Sequence, residues 1–383
     1  KNGIKNSRVC KRALATGKRL HWKIGRRRAE KQLSMTEKEA ESILNAVYPK
    51  PAVRSRSARK QYESQMDVSV IIPAYNVQPY IRECLDSVVN QDLRTSWEVI
   101  VVDDGSDDGT EAILEEYKAY PQIRVIRQEN GGLSSARNTG LINAQGKHLL
   151  FLDGDDALAD GCLSVLMEAA GRQEADIIQM GYQYLEGGRL LPPKKAGPTG
   201  RIREYGTMCR LPGFAWMKLY KSSLFSGVFF PEGYWFEDSI VHLILFDRCR
   251  ELLMLEKTGY LYRVNPEGIC STSRSHPKCL DALWVIEPIL KMRNELGMEM
   301  TKDVYVQILA HLSTTLYRRI KWMDEKVIQA AFIKACALTD GLMSQKERES
   351  LLAERPDNDP LLQLEEAFRK RDYGIWRLYC RCL

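Results

Sequence analysis

Two groups of carboxylates follow runs of apolar and β-branched residues in the first half of the chain. An Asp-Asp pair at 103–104 comes directly after the run 97–102, and Asp-Gly-Asp-Asp at 153–156 follows the run 148–152. Carboxylate oxygens are hard ligands that suit Mg²⁺ or Mn²⁺, and such ions usually bridge a protein to phosphate groups. Carboxylates gathered in one place repel one another unless cations lie among them. The pattern therefore predicts a site for a divalent ion and a phosphorylated ligand.

The segments around these carboxylates alternate between predicted strands and predicted helices. Short, nearly continuous apolar runs are typical of strands buried on both faces. Such runs occur at 68–74, 97–102, 123–126 and 148–152. Segments with apolar residues at helical spacing lie between them. This order predicts an α/β domain with a mostly parallel sheet and helices on both faces. Ligands of such sheets bind at the carboxyl ends of the strands, where both groups of carboxylates are expected.

The rest of the chain predicts further strands and then a change to helices. Strands are expected at 176–184 and 260–263, with a helix at 239–246, and helical spacing continues from about 280 almost to the end. The predicted organisation has three parts. They are a basic arm over 1–65, an α/β domain over 66–280 and a helical region over 281–383.

Composition and missing motifs exclude several classes of protein. No uncharged apolar run approaches the ~20 residues of a membrane-spanning helix, and no apolar segment after the first residues suggests a secretory signal peptide. The ten cysteines form no C-x-x-C pair, so we expect reduced thiols in a cytoplasmic protein and no structural zinc. A dinucleotide-binding glycine motif and a P-loop are both missing, so phosphate must be bound in another way.

Positive charge is concentrated in the N-terminal arm. Residues 1–65 carry 18 Lys and Arg against 5 Asp and Glu, whereas the rest of the chain carries 38 against 45. The arm includes a predicted helix at 36–47 and a sparse apolar stripe. Basic segments of this kind bind anionic lipid headgroups, so we expect an anionic membrane surface as its partner. An unstructured, solubilising tail is the alternative, and nucleic acid is the least expected partner.

Four stretches of the first half resemble the opening motifs of family 2 glycosyltransferases, in that family's order and spacing. They are Val-Ser-Val-Ile-Ile-Pro-Ala-Tyr-Asn (68–76), Val-Val-Asp-Asp-Gly-Ser-x-Asp-Gly-Thr (101–110), Asn-Gly-Gly-Leu-Ser-x-Ala-Arg-Asn-x-Gly (130–140) and Phe-Leu-Asp-x-Asp-Asp (151–156). Later matches are Trp-x-Lys-Leu-Tyr (216–220), Phe-Glu-Asp (236–238) and Tyr-Arg (262–263). The resemblance implies a Rossmann-like GT-A fold, as in bacterial polysaccharide enzymes, and inverting transfer from a nucleotide-activated sugar.

The resemblance also implies roles in binding the donor. Pro73, Ala74 and Tyr75 would line the pocket for the base and ribose. Asp104 would accept a hydrogen bond from the uracil N–H, because an ionised carboxylate can only accept, and this favours a UDP-sugar. Arg137 would approach the diphosphate, a natural partner of a guanidinium, although an arginine on a helix face can equally be solvated.

Further roles concern the metal ion and the chemical step. Asp155 would ligate Mn²⁺ or Mg²⁺, and Asp153 would contact the ribose or the water shell of the metal. Asp238 would be the general base that takes the proton of the acceptor hydroxyl, with Glu237 next in line. His276 is a candidate for a further metal ligand. The loop residues expected to close over the diphosphate are Arg263, Ser271, Ser273 and His276.

The predicted function is metal-dependent, inverting transfer of a sugar to a hydroxyl of a glycan or lipid-linked saccharide. The enzyme would be cytoplasmic and peripheral on the inner face of the cell membrane. Two alternatives remain. One is a phosphohydrolase that uses the D-x-D motif, although that class would carry the motif on its first strand. The other is a non-catalytic, membrane-associated assembly protein with a vestigial site, against which the intact Asp155 and Asp238 argue.

Overall fold

A computed structural model of the protein describes residues 33–52, 65–273, 276–353 and 359–382. Most of the basic arm, including the apolar stripe and the triple arginine at 26–28, lies outside the described residues. The predicted membrane partner of the arm therefore stays a prediction. Within the described part of the chain, no helix is long and apolar enough to cross a membrane.

The chain forms two compact units, a sheet unit and a helical unit. The sheet unit comprises Pro51–Ser273 and Pro288–Met298. The helical unit comprises the described residues of Lys1–Lys50, Arg274–Glu287 and Glu299–Leu383. The two units differ from the predicted parts, whose boundaries are at 65 and 280. A helix of the predicted arm packs in the helical unit, and residues 288–298 of the predicted helical region pack in the sheet unit.

The first such segment is helix α1 (Glu37–Val47), which the sequence predicts at 36–47. Thr36 caps it in a capping box, in which its side chain accepts from the Glu39 N–H and the Glu39 carboxylate accepts from the Thr36 N–H. Its apolar side is buried in the helical unit, and Lys334 of that unit lies 3.0 Å from a Glu37 oxygen. Residues of the arm thus form part of the helical unit.

The second segment is 288–298, which joins the sheet unit through Arg293. The guanidinium of Arg293 is only 1% exposed and lies 3.0 Å from the Asp247 carboxylate. It also donates to the carbonyl of Leu243. Burying this charge requires both partners, which ties the segment to the sheet unit.

The sheet unit is built on a ten-stranded mixed sheet. Its strands are β1 (Met66–Ala74), β2 (Trp97–Asp103), β3 (Ile123–Arg127), β4 (Gly146–Phe151), β5 (Ala157–Leu158), β6 (Ile177–Glu186), β7 (Arg189–Leu190), β8 (Gly200–Ile202), β9 (Lys218–Lys221) and β10 (Leu252–Arg263). The main order is β3-β2-β1-β4-β9-β6-β10-β5, with β7 on β6 and β8 on β10. Adjacent pairs among β1 to β4 and the pair β6–β10 are parallel, whereas β9 is antiparallel to both its neighbours.

This arrangement brings many chain ends to one edge of the sheet. Strand β9 is antiparallel to both β4 and β6, so β1, β2, β3, β4, β6 and β10 all end at the same edge, where β9 begins. We call this edge the carboxyl edge. The predicted strands β1 to β4 are confirmed, and the central residues of β1 and β2 are buried, whereas β3 is buried only at Ile123. Strand β10 is longer than the predicted 260–263, because its polar middle and register shift near Thr258 conceal its first half.

Helices of the sheet unit connect or flank the strands. They are α2 (Ile81–Val89), α3 (Thr110–Tyr117), α4 (Leu133–Asn143), α5 (Cys162–Arg172), α6 (Tyr205–Met208), α7 (Phe246–Arg248) and α8 (Ile269–Thr272). Helix α4 lies against β1 at Gly140, where an added Cβ would fall 2.3 Å from a methyl carbon of Ile71. Only glycine permits this close approach. The helix predicted at 239–246 is a π-helical turn, Val241–Leu245, followed by α7.

The helical unit confirms the predicted helical C-terminal region. Its further helices, of which α10 continues into the sheet unit, are α9 (Asp281–Trp284), α10 (Ile286–Glu295), α11 (Lys302–Ala310), α12 (Leu316–Ile320), α13 (Glu325–Thr339), α14 (Gln345–Ala353), α15 (Pro360–Arg369) and α16 (Tyr373–Cys382). Side chains of Thr301, Asp324 and Asp359 cap α11, α13 and α15 by accepting from backbone N–H groups. A π-helical turn, His311–Thr315, separates α11 from α12.

Candidate active site

The D-x-D loop leaves β4 at the carboxyl edge and lies against the end of β1. Its central residue, Gly154, has no room for a side chain. An added Cβ would lie 2.8 Å from the carbonyl oxygen of Pro73 and 3.6 Å from the Cα of Ala74. The glycine therefore lets Asp153 and Asp155 sit next to the segment predicted to bind the base and ribose.

Asp155, the predicted metal ligand, is half-buried and already hydrogen-bonded. One carboxylate oxygen accepts from the Asn265 side-chain amide at 2.9 Å, and its backbone carbonyl accepts from the Arg263 guanidinium at 2.7 Å. Burial raises the pKa of Asp155, and the charge of Asp153 adds to this increase. A bound cation would oppose this effect and keep the carboxylate ionised.

Asp156 holds the D-x-D loop to β10 and is not part of the predicted site. Its carboxylate is 1% exposed and accepts from the Tyr260 hydroxyl at 2.6 Å and the Arg263 N–H at 2.7 Å. The Tyr260 oxygen in turn accepts from the Asp153 N–H at 3.2 Å. Burial raises the pKa of Asp156 well above its ordinary value, and the neighbouring Asp155 and Asp153 add to the effect. Its position indicates a structural role.

Arg137 is not solvated on its helix face. Its side chain is 3% exposed and forms two ion pairs of 2.6 Å, with Asp153 and with Glu237. The guanidinium also lies over the ring of Phe230, 5.4 Å from the centroid. Burial disfavours the charged form, but Asp153 and Glu237 outweigh it and raise the pKa of Arg137 above its ordinary value. Both carboxylates thus hold this arginine, which is predicted to approach a diphosphate.

Asp104, predicted to contact uracil, is 2% exposed and holds the loop before α4. Its carboxylate accepts from the N–H groups of Gly131 at 2.9 Å and Gly132 at 2.8 Å. It also accepts from the side-chain amide of Gln128 at 2.6 Å. A carboxylate has about four acceptor positions, and three of them are occupied here. The uracil contact stays a prediction, and the uracil N–H would have to use the remaining acceptor position of the carboxylate.

The three residues predicted to line the base pocket differ in exposure. Pro73 and Ala74 are buried within β1, and the Ala74 carbonyl accepts from the Asp104 N–H at 2.8 Å. Tyr75 is 48% exposed at the carboxyl edge. Asn76, which has a positive φ of 50°, fixes the turn after Tyr75 by exchanging side-chain hydrogen bonds with Asp107. Of the three, Tyr75 is the one that offers a ring to a ligand.

Asp238, the predicted general base, is half-buried and follows the buried Glu237. The preceding Phe236 has a φ of 63°, a left-handed conformation that is costly for a bulky residue and that occurs most often at functional sites. Arg137 pairs with Glu237, so the D-x-D loop and the segment that carries Asp238 meet at one arginine. Glu237 is therefore the residue that joins this segment to Arg137.

Lys218, at the start of β9, is fully buried near these carboxylates. Its amine donates to the carbonyls of Pro212 at 2.9 Å and Phe214 at 2.7 Å. Burial lowers the pKa of Lys218 to about 7, although the charge of Asp238 opposes the shift. A neutral amine keeps two N–H donors, which match the two carbonyls.

Asn265 and Tyr260 are two residues of this site that the sequence interpretation missed. Asn265 follows β10 at the carboxyl edge, so the signal that selected the carboxylates, a polar residue directly after a strand, also applies to it. Of the predicted loop residues, Arg263 lies over the ring of Tyr80 and pairs with Glu83. Ser271 donates to the Asn265 carbonyl.

The other loop predictions and the metal shell stay untested. Ser273 is 1% exposed. His276 belongs to the helical unit, where its Nδ1 accepts from the Lys278 N–H at 3.1 Å. Among the residues that the structure describes, no three His, Cys, Asp or Glu side chains are grouped so that they alone would hold a metal ion.

The sequence relatives of this chain are glycosyltransferases. Residues 69–222 match the family described as Glycosyl transferase family 2. The uncharacterized glycosyltransferase EpsJ of Bacillus subtilis (strain 168) is 37% identical over 216 residues, which cover 53% of this chain and 62% of that protein. Glycosyltransferase GlyA of Streptococcus pneumoniae serotype 4 is 32% identical over 212 residues, which cover 51% of this chain and 30% of that protein. The chain thus spans less than two thirds of the length of these curated relatives.

Comparison with solved structures concerns the fold. The crystal structure of S. aureus TarS 1–349 in complex with UDP matches with a TM-score of 0.61 and 22% identity, covering 82% of this chain and 90% of that chain. This likeness confirms the predicted α/β architecture with a mostly parallel sheet. The match over 69–222 and the sequence relatives show that this part of the chain is similar to glycosyl transferase family 2.

Proposed function

We propose that this chain transfers a sugar from a nucleotide-sugar, with a UDP-sugar as the favoured donor, to a hydroxyl of a glycan or lipid-linked saccharide. The observation that carries the proposal is the double ion pair of Arg137 with Asp153 and Glu237. This arginine joins the D-x-D loop to the segment that carries Asp238. A diphosphate held at Asp155 and a general base at Asp238 would then lie near one reacting carbon.

The choice of donor rests on the relatives and on the exposed ring of Tyr75. TarS of S. aureus has been solved with UDP and with UDP-GlcNAc, and it is named poly(ribitol-phosphate) beta-N-acetylglucosaminyltransferase. Tyr75 offers an aromatic face for a base at the end of β1. A UDP-sugar fits both observations.

Asp155 and Asn265 have the oxygen chemistry that Mg²⁺ and Mn²⁺ prefer. One carboxylate together with phosphate oxygens is a common way for proteins to hold such an ion, so the absence of a three-residue cluster among the described residues agrees with a shared site. When bound, the ion would stabilise negative charge on the departing nucleoside diphosphate.

The proposed step inverts the configuration at C1 of the sugar. The acceptor oxygen attacks C1 from the face opposite the diphosphate, and its proton passes to a carboxylate oxygen of Asp238. The bond between C1 and the diphosphate oxygen breaks, and its electron pair leaves with the nucleoside diphosphate. The buried pair of Arg137 and Glu237 holds the residue that directly precedes this base.

The test is Asp238→Asn, measured as UDP release from UDP-GlcNAc, UDP-glucose and UDP-galactose with water as the acceptor. We expect turnover to fall by at least ~100-fold because the general base is lost, while calorimetric UDP binding is unchanged. Asp160→Asn is the matched control, since Asp160 is exposed just after the D-x-D region. Near-wild-type turnover of Asp238→Asn with an unchanged pH profile would assign the base elsewhere, and release of inorganic phosphate from simple phosphoesters would favour a phosphohydrolase.

We also propose that the basic arm holds the enzyme on an anionic membrane surface, where lipid-linked acceptors lie. The excess of 18 basic over 5 acidic residues in 1–65 supports this. Attraction to anionic headgroups supplies about 1 kcal/mol for each basic residue near the surface. The reaction itself would take place in the sheet unit.

A further inference from the structure

Six aromatic side chains meet at the carboxyl edge, outside the residues used above for the donor and the base. We call them the aromatic platform. They are Tyr182, Tyr184, Phe214, Trp216, Tyr260 and Tyr262. The tyrosines lie near the ends of β6 and β10, which pair in parallel with Tyr182 beside Tyr260 and Tyr184 beside Tyr262. Phe214 and Trp216 precede β9, which begins at this edge because it runs against its neighbours.

Four of the six rings form a stack from the interior toward the surface, and Tyr182 and Tyr184 contact it edge-on. Trp216 stacks on Tyr260 with centroids 4.5 Å apart and on Phe214 at 4.5 Å, with interplanar angles of 18° and 7°. Tyr260 is 1% exposed and Trp216 is 6% exposed, whereas Phe214 is half-buried. Tyr262 lies 5.2 Å from Trp216 and is also half-buried. The outer rings are therefore accessible.

A neighbouring aromatic cluster shows what a purely structural group of rings looks like in this unit. Phe151, Tyr220, Phe225 and Phe230 contact one another, and each is at most 2% exposed. In the platform, by contrast, Tyr182, Tyr184, Phe214 and Tyr262 all keep partial exposure. Core packing alone does not account for rings left at the edge where ligands of α/β sheets bind.

The platform is connected directly to the D-x-D loop. The Tyr260 hydroxyl donates to Asp156 at 2.6 Å and accepts from the Asp153 N–H at 3.2 Å. Strand β5, just beyond the D-x-D motif, pairs with β10 at Leu261 and Tyr260. A molecule lying on the outer rings would thus be next to the loop that is proposed to hold the donor diphosphate.

Lys218 fixes the outermost ring of the stack. Its amine donates to the carbonyls of Pro212 and Phe214, at 2.9 Å and 2.7 Å. Met217, between the stack and Lys218, has a φ of 59°, a strained conformation for a side chain of this size. The segment is therefore held in one conformation, and the Phe214 ring is preorganised.

We propose that the aromatic platform binds the acceptor through a pyranose ring that lies on one of its outer rings, Phe214 or Tyr262, so that the acceptor of this enzyme is a cyclic saccharide. This inference rests on the proposed function and names its acceptor class. A pyranose has an apolar face of C–H groups that packs on the electron-rich face of an aromatic ring, while its hydroxyls stay at the rim. A linear polyol phosphate has no such face and gains little from a stack of rings.

The experiment uses the whole chain, saturated with UDP and Mn²⁺, and ligand-observed saturation-transfer NMR. The probes are the methyl β-glycosides of glucose, galactose and N-acetylglucosamine, with ribitol 5-phosphate as the linear comparison. We expect at least one glycoside to bind and ribitol 5-phosphate to bind weakly or not at all. Phe214→Leu or Tyr262→Leu should weaken the glycoside about tenfold, since one of them removes the ring on which the pyranose lies.

Two controls separate the possible failures. Tyr120→Leu removes a 43% exposed tyrosine that stacks on Tyr117 elsewhere in the sheet unit, and it should bind the glycoside like wild type. Phe214→Tyr keeps the ring and should restore binding if Phe214→Leu merely disturbs the loop.

Four outcomes would overturn the inference. They are no binding by any glycoside, equal binding by the leucine variants, equal loss in Tyr120→Leu, and stronger binding of ribitol 5-phosphate. UDP affinity, measured separately, should be the same in all variants. A wild-type protein that does not bind UDP would contradict the proposed function instead.

Discussion

Replacing the buried Lys218 with methionine should change how the stability of the protein depends on pH. The amine is inaccessible to water, and burial lowers its pKa to about 7 in the fold. In the unfolded chain a lysine has a pKa of about 10.4. Between these values the unfolded chain binds a proton that the folded chain largely lacks, so the free energy of unfolding must rise with pH.

The size of the effect follows from the two pKa values. Each pKa unit corresponds to about 1.36 kcal/mol, and at pH 7 the folded amine is still about half protonated at the value given above. Raising the pH from 7 to 9 should therefore add about 2 kcal/mol to the free energy of unfolding of wild type relative to Lys218→Met. The lost hydrogen bonds to Pro212 and Phe214 add a constant offset that does not depend on pH.

The assay is urea denaturation of both proteins at several pH values in a reducing buffer. Buried thiols such as Cys162 and Cys249, whose pKa burial raises to about 12, act in the opposite direction above pH 8. They are present in both proteins, so they cancel in the difference. Lys221→Met is the matched control, because Lys221 lies on the same strand with its ammonium partly exposed beside Asp176, and its difference from wild type should stay flat.

The result that would refute this reasoning is a difference between wild type and Lys218→Met that stays flat or falls from pH 7 to pH 9. The amine would then be charged in the fold at neutral pH, as it is in the unfolded chain. The carbonyls of Pro212 and Phe214, rather than burial, would then determine the pKa of Lys218.

Three further predictions concern the ion pairs, the metal and the arm. Arg137→Met should lower the free energy of unfolding by about 3–5 kcal/mol, because it leaves two carboxylates without their buried partner. The exposed pair of Arg172 with Glu168 provides the control Arg172→Met, with a change of at most about 1 kcal/mol in the same urea titration. Asp155→Ala should reduce the UDP affinity measured by calorimetry in Mn²⁺ to that of wild type in EDTA. If wild type binds UDP equally well in EDTA and in Mn²⁺, the proposed role of the metal is wrong. Deletion of residues 1–32, which leaves α1 in place, should abolish salt-sensitive co-sedimentation with anionic vesicles. Equal sedimentation of both proteins, or tighter binding to RNA, would contradict the membrane proposal.

Features encoded over a few residues could be predicted from the sequence. Strands β1 to β4 appear as short, mostly apolar runs, and the D-x-D motif follows β4 closely, so its place at the carboxyl edge could be predicted. Helix α1 carries its own start signal in Thr36 and Glu39. In each case neighbouring residues contain the whole physical cause, so the pattern and the structure agree.

Features that depend on distant pairing could not be predicted. The order β4-β9-β6-β10 places residues near 150, 218, 180 and 260 side by side, and no local pattern specifies that order. The same pairing assembles the aromatic platform. The sequence alone does not decide whether Arg137 contacts a ligand or solvent, because its partners lie 16 and 100 residues further along the chain.

The two sides of the candidate site come from separate stretches of the chain, and this division affects how related proteins can diversify. The D-x-D side comes from 66–160, whereas the aromatic platform comes from 177–263, and the pairings of β5 with β10 and of β4 with β9 join them. Under the proposed function, a chimaera that exchanges the later stretch for that of a relative should change its acceptor preference while keeping its nucleotide preference. Recombination at the turn after β5 would then combine one proposed donor-binding half with different acceptor-binding stretches.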